Sequence, residues 1–317
     1  MSLTTLSGNS LAEVGLGTWK SESEVVYTAI REAISIGYRH IDCASFYGNE
    51  PEIGQALSDA IQDGDVSRED LFITSKLWNN AHMPEAVMPA LEKTLSDLRL
   101  DYLDLYLMHW PVAVKENVLL ASTSDECISL KLLPIETTWS AMETCVDKGL
   151  ARYIGVSNFS IRKLENLISK ARIMPAMNQV ELHPFLEQQM LVRFCQEHRI
   201  EVTAYSPLGS MGRDLYLRSE NEPSLLDNSI IGEIAHKRDM TPAQVLIQWA
   251  VQRGVYVIPK SASPIRQKEN LEAANLLLSV EDVDRISELE RHFRYINGRV
   301  FEVEGSDYTL ASIWDEE

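Results

Sequence analysis

The chain has few basic residues, no paired cysteines and no long apolar run. Its 29 Lys and Arg residues stand against 47 Asp and Glu residues, for a formal net charge of −18. This balance excludes a broad phosphate-coating surface, so no nucleic acid partner is predicted and any anionic ligand needs a local binding site. No segment approaches the roughly 20 consecutive apolar residues that cross a bilayer, so no membrane segment is predicted.

The positions of the cysteines also argue against disulfide cross-links and a bound metal. The four cysteines form no C-x-x-C pair and lie far apart, at Cys43, Cys127, Cys145 and Cys195. Such spacing favours reduced thiols over a disulfide framework or a zinc site. The N-terminal segment also lacks the basic and apolar regions of a signal peptide. We therefore predict a cytoplasmic protein without a metal centre.

What the chain does have is an alternation of short β-branched runs with longer amphipathic stretches, which is typical of a parallel sheet with crossover helices. The predicted strands are 14–18, 39–42, 71–75, 103–108, 153–156, 176–181, 201–204 and 256–258. Eight such units without a flexible linker favour one domain over residues 1–317, an α/β fold of the (β/α)8 TIM barrel type. A doubly wound sheet is the alternative.

Local signals mark some of the helices. Apolar residues at helical spacing predict two inward helix faces, one at Val25, Ala29, Ala33 and Ile36 and another at Leu91, Leu95 and Leu98. Ser160 directly precedes a predicted helix over 161–170. Thr241, followed by a proline, is predicted to cap a helix over 243–252.

Three connections are too long to be simple turns, at 111–134, 207–228 and 294–317. Loops of that length usually carry function or are disordered. The first two follow the fourth and seventh predicted strands, so we expect these long loops on the C-terminal face of the barrel, where they would wall a pocket. Residues 3–11 are predicted to form an N-terminal β-hairpin that closes the barrel floor.

Polar side chains follow almost every predicted strand. Because the C-terminal ends of barrel strands build the active site, these side chains are the candidate functional residues. In chain order they are Asp42 with Tyr47, Lys76, His109, Ser157 with Asn158, Gln179, Tyr205 with Ser206, and Lys260 with Ser261. Each alone has an ordinary structural explanation, but their coincidence on one face favours a shared site.

Four of these residues suit proton transfer to a carbonyl oxygen. A tyrosine with a reference pKa of about 10 is a poor acid unless a nearby cation favours its phenolate, and Lys76 could supply that cation to Tyr47. Asp42 would keep a buried Lys76 charged, and His109 would orient the substrate oxygen. The absence of G-x-S-x-G and H-E-x-x-H motifs speaks against covalent hydrolysis and zinc chemistry. A bound hydride donor would complete a reduction.

Three ordered motifs resemble the signatures of one known family, the aldo-keto reductases. They are residues 37–44 with Glu50 and Gly54, residues 154–159, and residues 258–261 with Arg266, Glu269 and Asn270. The resemblance covers nearly the whole chain. It implies an oxidoreductase that transfers a hydride from a nicotinamide cofactor bound without a Rossmann fold. Tyr47 resembles the family's proton donor, Asp42 and Lys76 its tuning pair, and His109 its substrate-orienting residue.

The resemblance also implies the cofactor contacts. Ser157, Asn158 and Gln179 resemble the groups that hydrogen-bond the nicotinamide carboxamide, and Tyr205 resembles the ring that stacks on the nicotinamide. The remaining contacts implied are Thr18, Trp19, Ser206, Leu208, Ser210, Lys260, Ser261, Arg266, Glu269 and Asn270.

The third motif predicts NADPH/NADP as the cofactor. Lys260, Ser261, Arg266 and Asn270 would surround a 2′-phosphate with two positive charges and two polar partners.

One departure from the family pattern concerns cofactor release. Several relatives close a loop over the cofactor with an acidic residue two positions beyond the one matching Ser210, where this chain has Gly212. Asp214 would then pair with Lys20 or Lys260, or the latch would be absent.

The predicted substrate is a small carbonyl compound, an aldehyde or an aldose, in an aromatic pocket with Trp19, Trp78 and Trp110 as walls. Three alternatives stay open: an aldose-phosphate reductase that uses Lys115 and Lys131, a polyol or alcohol dehydrogenase, and a cofactor-sensing regulatory or binding protein. The protein is predicted to be a monomer or a dimer.

Overall fold

The computed structural model describes residues 3–210, 212–214, 217–219 and 221–316. Within this part of the chain, eight parallel strands form one sheet in the order β1-β2-β3-β4-β7-β8-β9-β10. These strands are β1 (Leu16–Gly17), β2 (His40–Asp42), β3 (Phe72–Leu77), β4 (Leu103–Met108), β7 (Ala151–Ser157), β8 (Met177–Glu181), β9 (Glu201–Tyr205) and β10 (Tyr256–Val257). Two short strands, β5 (Ala113–Val114) and β6 (Cys127–Ile128), pair antiparallel in the connection after β4. All eight predicted barrel strands are confirmed.

The sheet closes on itself between its first and last strands. Val14 pairs with Val257 and Gly17 with Lys260, both in parallel orientation. The second pairing needs a glycine, because a Cβ atom at Gly17 would lie 2.6 Å from the Ile258 carbonyl oxygen. Closure confirms the (β/α)8 barrel and excludes the doubly wound sheet.

Helices follow the strands along the chain, and the last helix lies in the C-terminal segment. In the described residues they are α1 (Ser23–Ile36), α2 (Glu50–Gln62), α3 (Pro84–Leu98), α4 (Ile135–Asp147), α5 (Ile161–Ile168), α6 (Gln189–Glu197), α7 (Ser229–Arg238), α8 (Pro242–Val251), α9 (Pro264–Glu272), α10 (Val280–Ser287) and α11 (Leu310–Trp314). Single tight turns of helix lie at Ser45–Tyr47, Asn79–Ala81 and Arg299–Phe301, among others. Among these helices, none is both long and apolar enough to cross a bilayer.

Both predicted N-caps are confirmed. The Ser160 hydroxyl accepts a hydrogen bond from the backbone N–H of Lys163 at the start of α5. Thr241 caps α8 reciprocally with Gln244: each side chain accepts the other residue's backbone N–H.

The predicted inward face of α3 is confirmed, whereas that of α1 is partly wrong. Ala29 and Ala33 of α1 are buried, but Val25 is 40% exposed and Ile36 is only half-buried. The face is instead filled by Val26, Ile30 and Ile34. Successive helix residues lie about 100° apart around the axis, so Val25 points away from the stripe that contains its neighbour.

The N-terminal hairpin closes the barrel floor as predicted. Thr4 and Ser10 form an antiparallel bridge. Buried side chains of the hairpin pack against residues of β3, β4 and β8 in one cluster, which comprises Leu3, Leu11, Phe72, Leu105, Leu107 and Met177.

At the opposite end, the connection after β4 and the C-terminal segment form a common wall. The Tyr308 hydroxyl donates to the Ile128 carbonyl at 2.6 Å and accepts the N–H of Ala113 at 2.9 Å. One tail side chain therefore binds both strands of the β5–β6 hairpin, which fixes the wall beside the ends of β3 and β4.

Candidate active site

Four of the predicted site residues meet at the C-terminal ends of β2, β3 and β4. Asp42 ends β2, Lys76 lies next to the end of β3, and His109 directly follows β4. Tyr47 ends the helical turn that comes after β2. Parallel strand pairing places these ends side by side, which brings Asp42, Lys76 and His109 together, and the turn after β2 adds Tyr47.

Lys76 is at the centre of this group. Its ammonium nitrogen lies 2.5 Å from Asp42 Oδ1, 2.8 Å from the Cys43 carbonyl oxygen and 3.3 Å from the Tyr47 hydroxyl. Burial by itself lowers the pKa of Lys76, but the charge of Asp42 and the Tyr47 hydroxyl outweigh it and raise the pKa to about 12. The lysine is therefore a buried, permanently charged ammonium at neutral pH.

Tyr47 keeps its proton at neutral pH. Burial raises the pKa of Tyr47 to about 12, although the charge of Lys76 and its hydrogen bond act in the opposite direction. The sequence-based expectation that Lys76 would favour the phenolate has the right sign, but desolvation is the larger effect. The hydroxyl is thus a proton source whose conjugate base lies beside a cation.

His109 packs against two aromatic side chains, Tyr47 and Trp78. Its ring is edge-on to Tyr47, with ring centroids 5.8 Å apart, and to Trp78, at 5.0 Å. Burial and the charge of Lys76 hold the pKa of His109 well below its usual range. The imidazole is therefore neutral and can donate one hydrogen bond to a substrate oxygen.

The residues predicted to bind the carboxamide are connected to the same centre. Gln179 Nε2 donates to Asp42 Oδ2 at 2.7 Å, and the Ser157 hydroxyl donates to the Gln179 carbonyl at 2.8 Å. Asn158, at a left-handed φ of 64°, donates to the His109 carbonyl at 3.0 Å and accepts the Tyr205 hydroxyl at 2.7 Å. The site's polar groups thus form one continuous hydrogen-bonded network.

The third predicted set lies where β10 leads into α9. Lys260 and Arg266 are exposed cations, and no carboxylate of the described residues pairs with either. Ser261 and Asn270 are buried beside them. Glu269, half-buried in α9, accepts Gln244 Nε2 at its carbonyl oxygen. Unpaired cations at a helix N-terminus suit an anionic group.

The remaining predicted cofactor contacts lie at the ends of β1 and β9. The Thr18 hydroxyl donates to the Asp42 carbonyl at 2.8 Å, which joins the end of β1 to the end of β2. Ser206, Leu208 and Ser210 follow β9 and are half-buried, and Ser206 has a left-handed φ of 50°.

The structure also selects between the two partners predicted for Asp214. The Asp214 carboxylate lies 2.8 Å from the ammonium of Lys20, and both side chains are partly exposed. The pair joins the segment after β9 to the residue that follows Trp19 at the end of β1. Lys260 is not part of it.

Trp78 and Trp110 belong to an aromatic cluster beside His109. They pack with tail residues and with the connection after β4; the cluster comprises Trp78, Trp110, Val112, Val114, Phe301, Tyr308, Ile313 and Trp314. Phe301 lies 6.1 Å from Trp78 and 4.8 Å from Trp110 between ring centroids. Trp19, half-buried after β1, lies outside this cluster.

Sequence reasoning missed several residues of the site. Phe46 stacks on Trp78 with ring centroids 3.7 Å apart, and its position directly before Tyr47 was the only available signal. Phe301 carried none, because its partners are distant in sequence. The Cys43 carbonyl was missed because backbone acceptors leave no mark in a sequence.

Comparisons with known proteins agree with this geometry. The profile of the Aldo/keto reductase family matches residues 13–291. An aldo/keto reductase of Synechocystis sp. is 50% identical over 310 residues, which cover 98% of this chain and 95% of the relative. Aldo-keto reductase family 1 member A1 is 47% identical over 292 residues in both Sus scrofa and Homo sapiens, with 92% of this chain and 89% of each relative covered. The chain therefore belongs to the aldo/keto reductase family, oxidoreductases with a (β/α)8 barrel that act on small carbonyl compounds with nicotinamide cofactors.

Proposed function

We propose that this protein reduces aldehydes or aldoses to alcohols with NADPH, and that Tyr47 is the proton donor. The observation that carries the proposal is the position of the Lys76 ammonium, 2.5 Å from Asp42 and 3.3 Å from the Tyr47 hydroxyl. A cation in that place stabilises the phenolate that forms when Tyr47 gives up its proton. The neutral His109 beside it can orient the carbonyl oxygen.

The residues act together on that oxygen. When bound, the cofactor would supply a hydride to the carbonyl carbon. Tyr47 hydrogen-bonds to the oxygen and transfers its proton as negative charge develops there, and His109 donates a second hydrogen bond. Lys76 stays protonated because the carboxylate of Asp42 is its counterion. The product alcohol carries the hydride on carbon and the proton on oxygen, and Tyr47 recovers a proton from solvent.

The residues present fit a phosphorylated dinucleotide. Ser157, Asn158 and Gln179 would hold the carboxamide, while Lys260 and Arg266 would bind the 2′-phosphate. The support for this second role is that both cations are exposed and lack a carboxylate partner in the described part of the chain. Two unpaired cations favour NADPH over NADH, which has no such phosphate.

The aromatic walls support an uncharged substrate. Trp78, Trp110 and Phe301 offer apolar faces that suit an aldehyde or the C–H face of an aldose. Lys115 and Lys131 are exposed and take no part in the aromatic cluster, so the geometry adds no support for a phosphorylated sugar. We also propose that the protein is a monomer or a dimer and that it is cytoplasmic. The reducing cytoplasm suits the four free cysteines.

The experiment that tests the proposal is Tyr47→Phe, assayed by loss of NADPH absorbance with a panel of aldehydes and aldoses. We expect turnover to fall roughly a hundredfold or more, because a general acid has been removed. NADPH binding, followed by tryptophan fluorescence, should be nearly unchanged. Tyr153→Phe, at the barrel floor, is the matched control. Undiminished turnover in Tyr47→Phe would exclude Tyr47 as the donor.

A further inference from the structure

Tyr295 is buried where two functional segments meet. We define the cofactor loop as the described residues of 207–228 and the C-terminal tail as residues 294–316. The cofactor loop contains Asp214, which pairs with Lys20, and the tail contains much of the aromatic wall. Tyr295 is 2% exposed and bonds to the loop through both its backbone and its side chain.

On one side, the barrel holds Tyr295 in place. Its backbone N–H donates to Glu181 Oε1 at 2.6 Å, and the next N–H, of Ile296, donates to Glu181 Oε2 at 2.7 Å. Glu181 is the last residue of β8 and is 1% exposed. Its carboxylate is also 2.8 Å from His183 Nε2. These two hydrogen bonds therefore connect the first residues of the tail to the end of β8.

On the other side, Tyr295 holds the cofactor loop at three points. Its carbonyl accepts Arg213 Nη1 at 2.6 Å, and its hydroxyl donates to the Pro223 carbonyl at 2.7 Å. Its ring packs so closely on Gly209 that a Cβ there would lie 3.3 Å from the ring. These contacts lie at three separate points of the loop, from Gly209 near its start to Pro223 in its second half.

The contacts of Tyr295 connect it to the Lys20–Asp214 pair on one side and to the aromatic cluster on the other. Arg213 is 3% exposed, pairs with Glu222 and directly precedes Asp214, so its position sets where Asp214 meets Lys20. In the other direction, the chain from Ile296 reaches Phe301, which packs on the aromatic cluster.

We propose that Tyr295 is a positioning residue that holds the cofactor loop and the C-terminal tail as one unit, so that the Lys20–Asp214 contact and the wall of the carbonyl pocket depend on each other. This inference rests on the proposed function for what the pocket binds. The coupling is carried by direct contacts: one buried residue bonds the strand, the loop and the tail, so displacing the loop disturbs the start of the tail.

The first test measures hydrogen exchange in Tyr295→Phe, which loses only the hydroxyl that bonds to Pro223. We expect peptides from both 207–228 and 294–316 to exchange faster. Tyr308→Phe is the matched control: it loses a tail hydroxyl bonded to Ala113 and Ile128. Exchange should rise around residue 308 and in 113–128, but residues 294–296 and the cofactor loop should be unchanged, because Tyr295 keeps all of its contacts. Faster exchange in only the loop of Tyr295→Phe would overturn the proposal.

The second test is a double-mutant cycle between Tyr295→Phe and Lys20→Met. Lys20→Met should raise both the NADPH release rate and the aldehyde KM by about two- to fivefold, because an exposed ion pair has been lost. In the Tyr295→Phe background it should still change NADPH release but should change KM by a smaller factor, because one of the three contacts between Tyr295 and the loop is gone. Additive effects on KM would refute the coupling.

The two tests separate this inference from the proposed function. Hydrogen exchange needs no turnover, so its result stands even if no carbonyl compound is reduced. A protein that reduces aldehydes but shows additive KM effects would retain the proposed function and lose the coupling through Tyr295.

Discussion

The carboxylate of Asp42 lies 2.5 Å from the ammonium of Lys76, and the two residues are 1% and 0% exposed. The second oxygen of the same carboxylate accepts Gln179 Nε2 at 2.7 Å. One buried acid therefore keeps the lysine charged and also contacts a residue proposed to bind the cofactor. Removing the charge of Asp42 should therefore change both the stability of the protein and its catalytic activity.

Asp42→Asn should destabilise the protein more than removal of the whole pair. The variant leaves Lys76 buried without its counterion, and breaking a buried pair from one side costs about 3–5 kcal/mol. The double variant Asp42→Asn, Lys76→Met should recover part of that loss, because no uncompensated charge remains. Denaturant unfolding of both variants measures this, and a single variant as stable as the wild type would contradict it.

Arg266→Gln should weaken NADPH binding about tenfold or more while leaving NADH binding nearly unchanged, because only NADPH has the 2′-phosphate. Lys268→Gln is the control on the same helix: Lys268 is exposed and lies 3.8 Å from Glu272. Fluorescence titration with both cofactors measures the two affinities. Equal losses for NADPH and NADH would show that Arg266 does not bind the 2′-phosphate.

Glu50 should make stability depend on pH near neutrality. It begins α2, is 2% exposed, and accepts the Ser75 hydroxyl at 2.5 Å and the Thr94 hydroxyl at 3.1 Å. Burial raises the pKa of Glu50 to about 7 despite these hydrogen bonds. A carboxyl whose pKa is raised by folding stabilises the native state at low pH, and this contribution is lost as pH rises through about 7.

Glu50→Gln removes that titration. We expect the variant to gain stability over the wild type by up to about 3 kcal/mol between about pH 4.5 and pH 8, since a pKa difference of one unit corresponds to about 1.4 kcal/mol. Glu24→Gln, on the exposed face of α1, is the control. Urea unfolding across this range measures the difference, and a stability difference that does not vary with pH would refute the assignment.

Asp104 should matter for stability and not for catalysis. Its carboxylate is 0% exposed, lies 2.8 Å from Arg68 Nη2 and 2.8 Å from Arg152 Nη1, and accepts the Ile73 N–H at 3.0 Å. Arg152 also donates to the Thr4 carbonyl at 2.7 Å, which anchors the N-terminal hairpin.

Asp104→Ala would leave two arginines without their shared counterion at the barrel floor. The expected loss is about 3–5 kcal/mol in the free energy of unfolding, with kcat unchanged below the melting transition, because the proposed catalytic residues lie at the other end of the barrel. Asp63→Ala, which removes an exposed partner of Arg31, is the control and should cost about 1 kcal/mol or less. A reduced kcat in folded Asp104→Ala would show that the two ends are coupled.

The strand pattern and the grouping of Asp42, Tyr47, Lys76 and His109 at one end of the barrel could be predicted from the sequence. Buried strands appear as short β-branched runs, and residues such as Lys76 and His109 follow them at fixed positions because a barrel exposes its strand ends on one face. N-caps such as Ser160 were equally predictable, since capping uses local chemistry. The prediction for α1 failed at Val25, where several apolar residues in a row left the orientation of the helix to tertiary packing.

Contacts between segments that are distant in the chain could be determined only from the tertiary structure. Whether Asp214 meets Lys20 depends on where Arg213 is held, and Arg213 is held by Tyr295, far along the chain. The sequence also left the pKa of Tyr47 undetermined. It predicted that the charge of Lys76 would lower this pKa, but it could not predict how deeply the two side chains are buried, and burial is the larger effect. Local sequence determines which groups are available, whereas burial and long-range contacts, set by the whole chain, determine their partners and their charge.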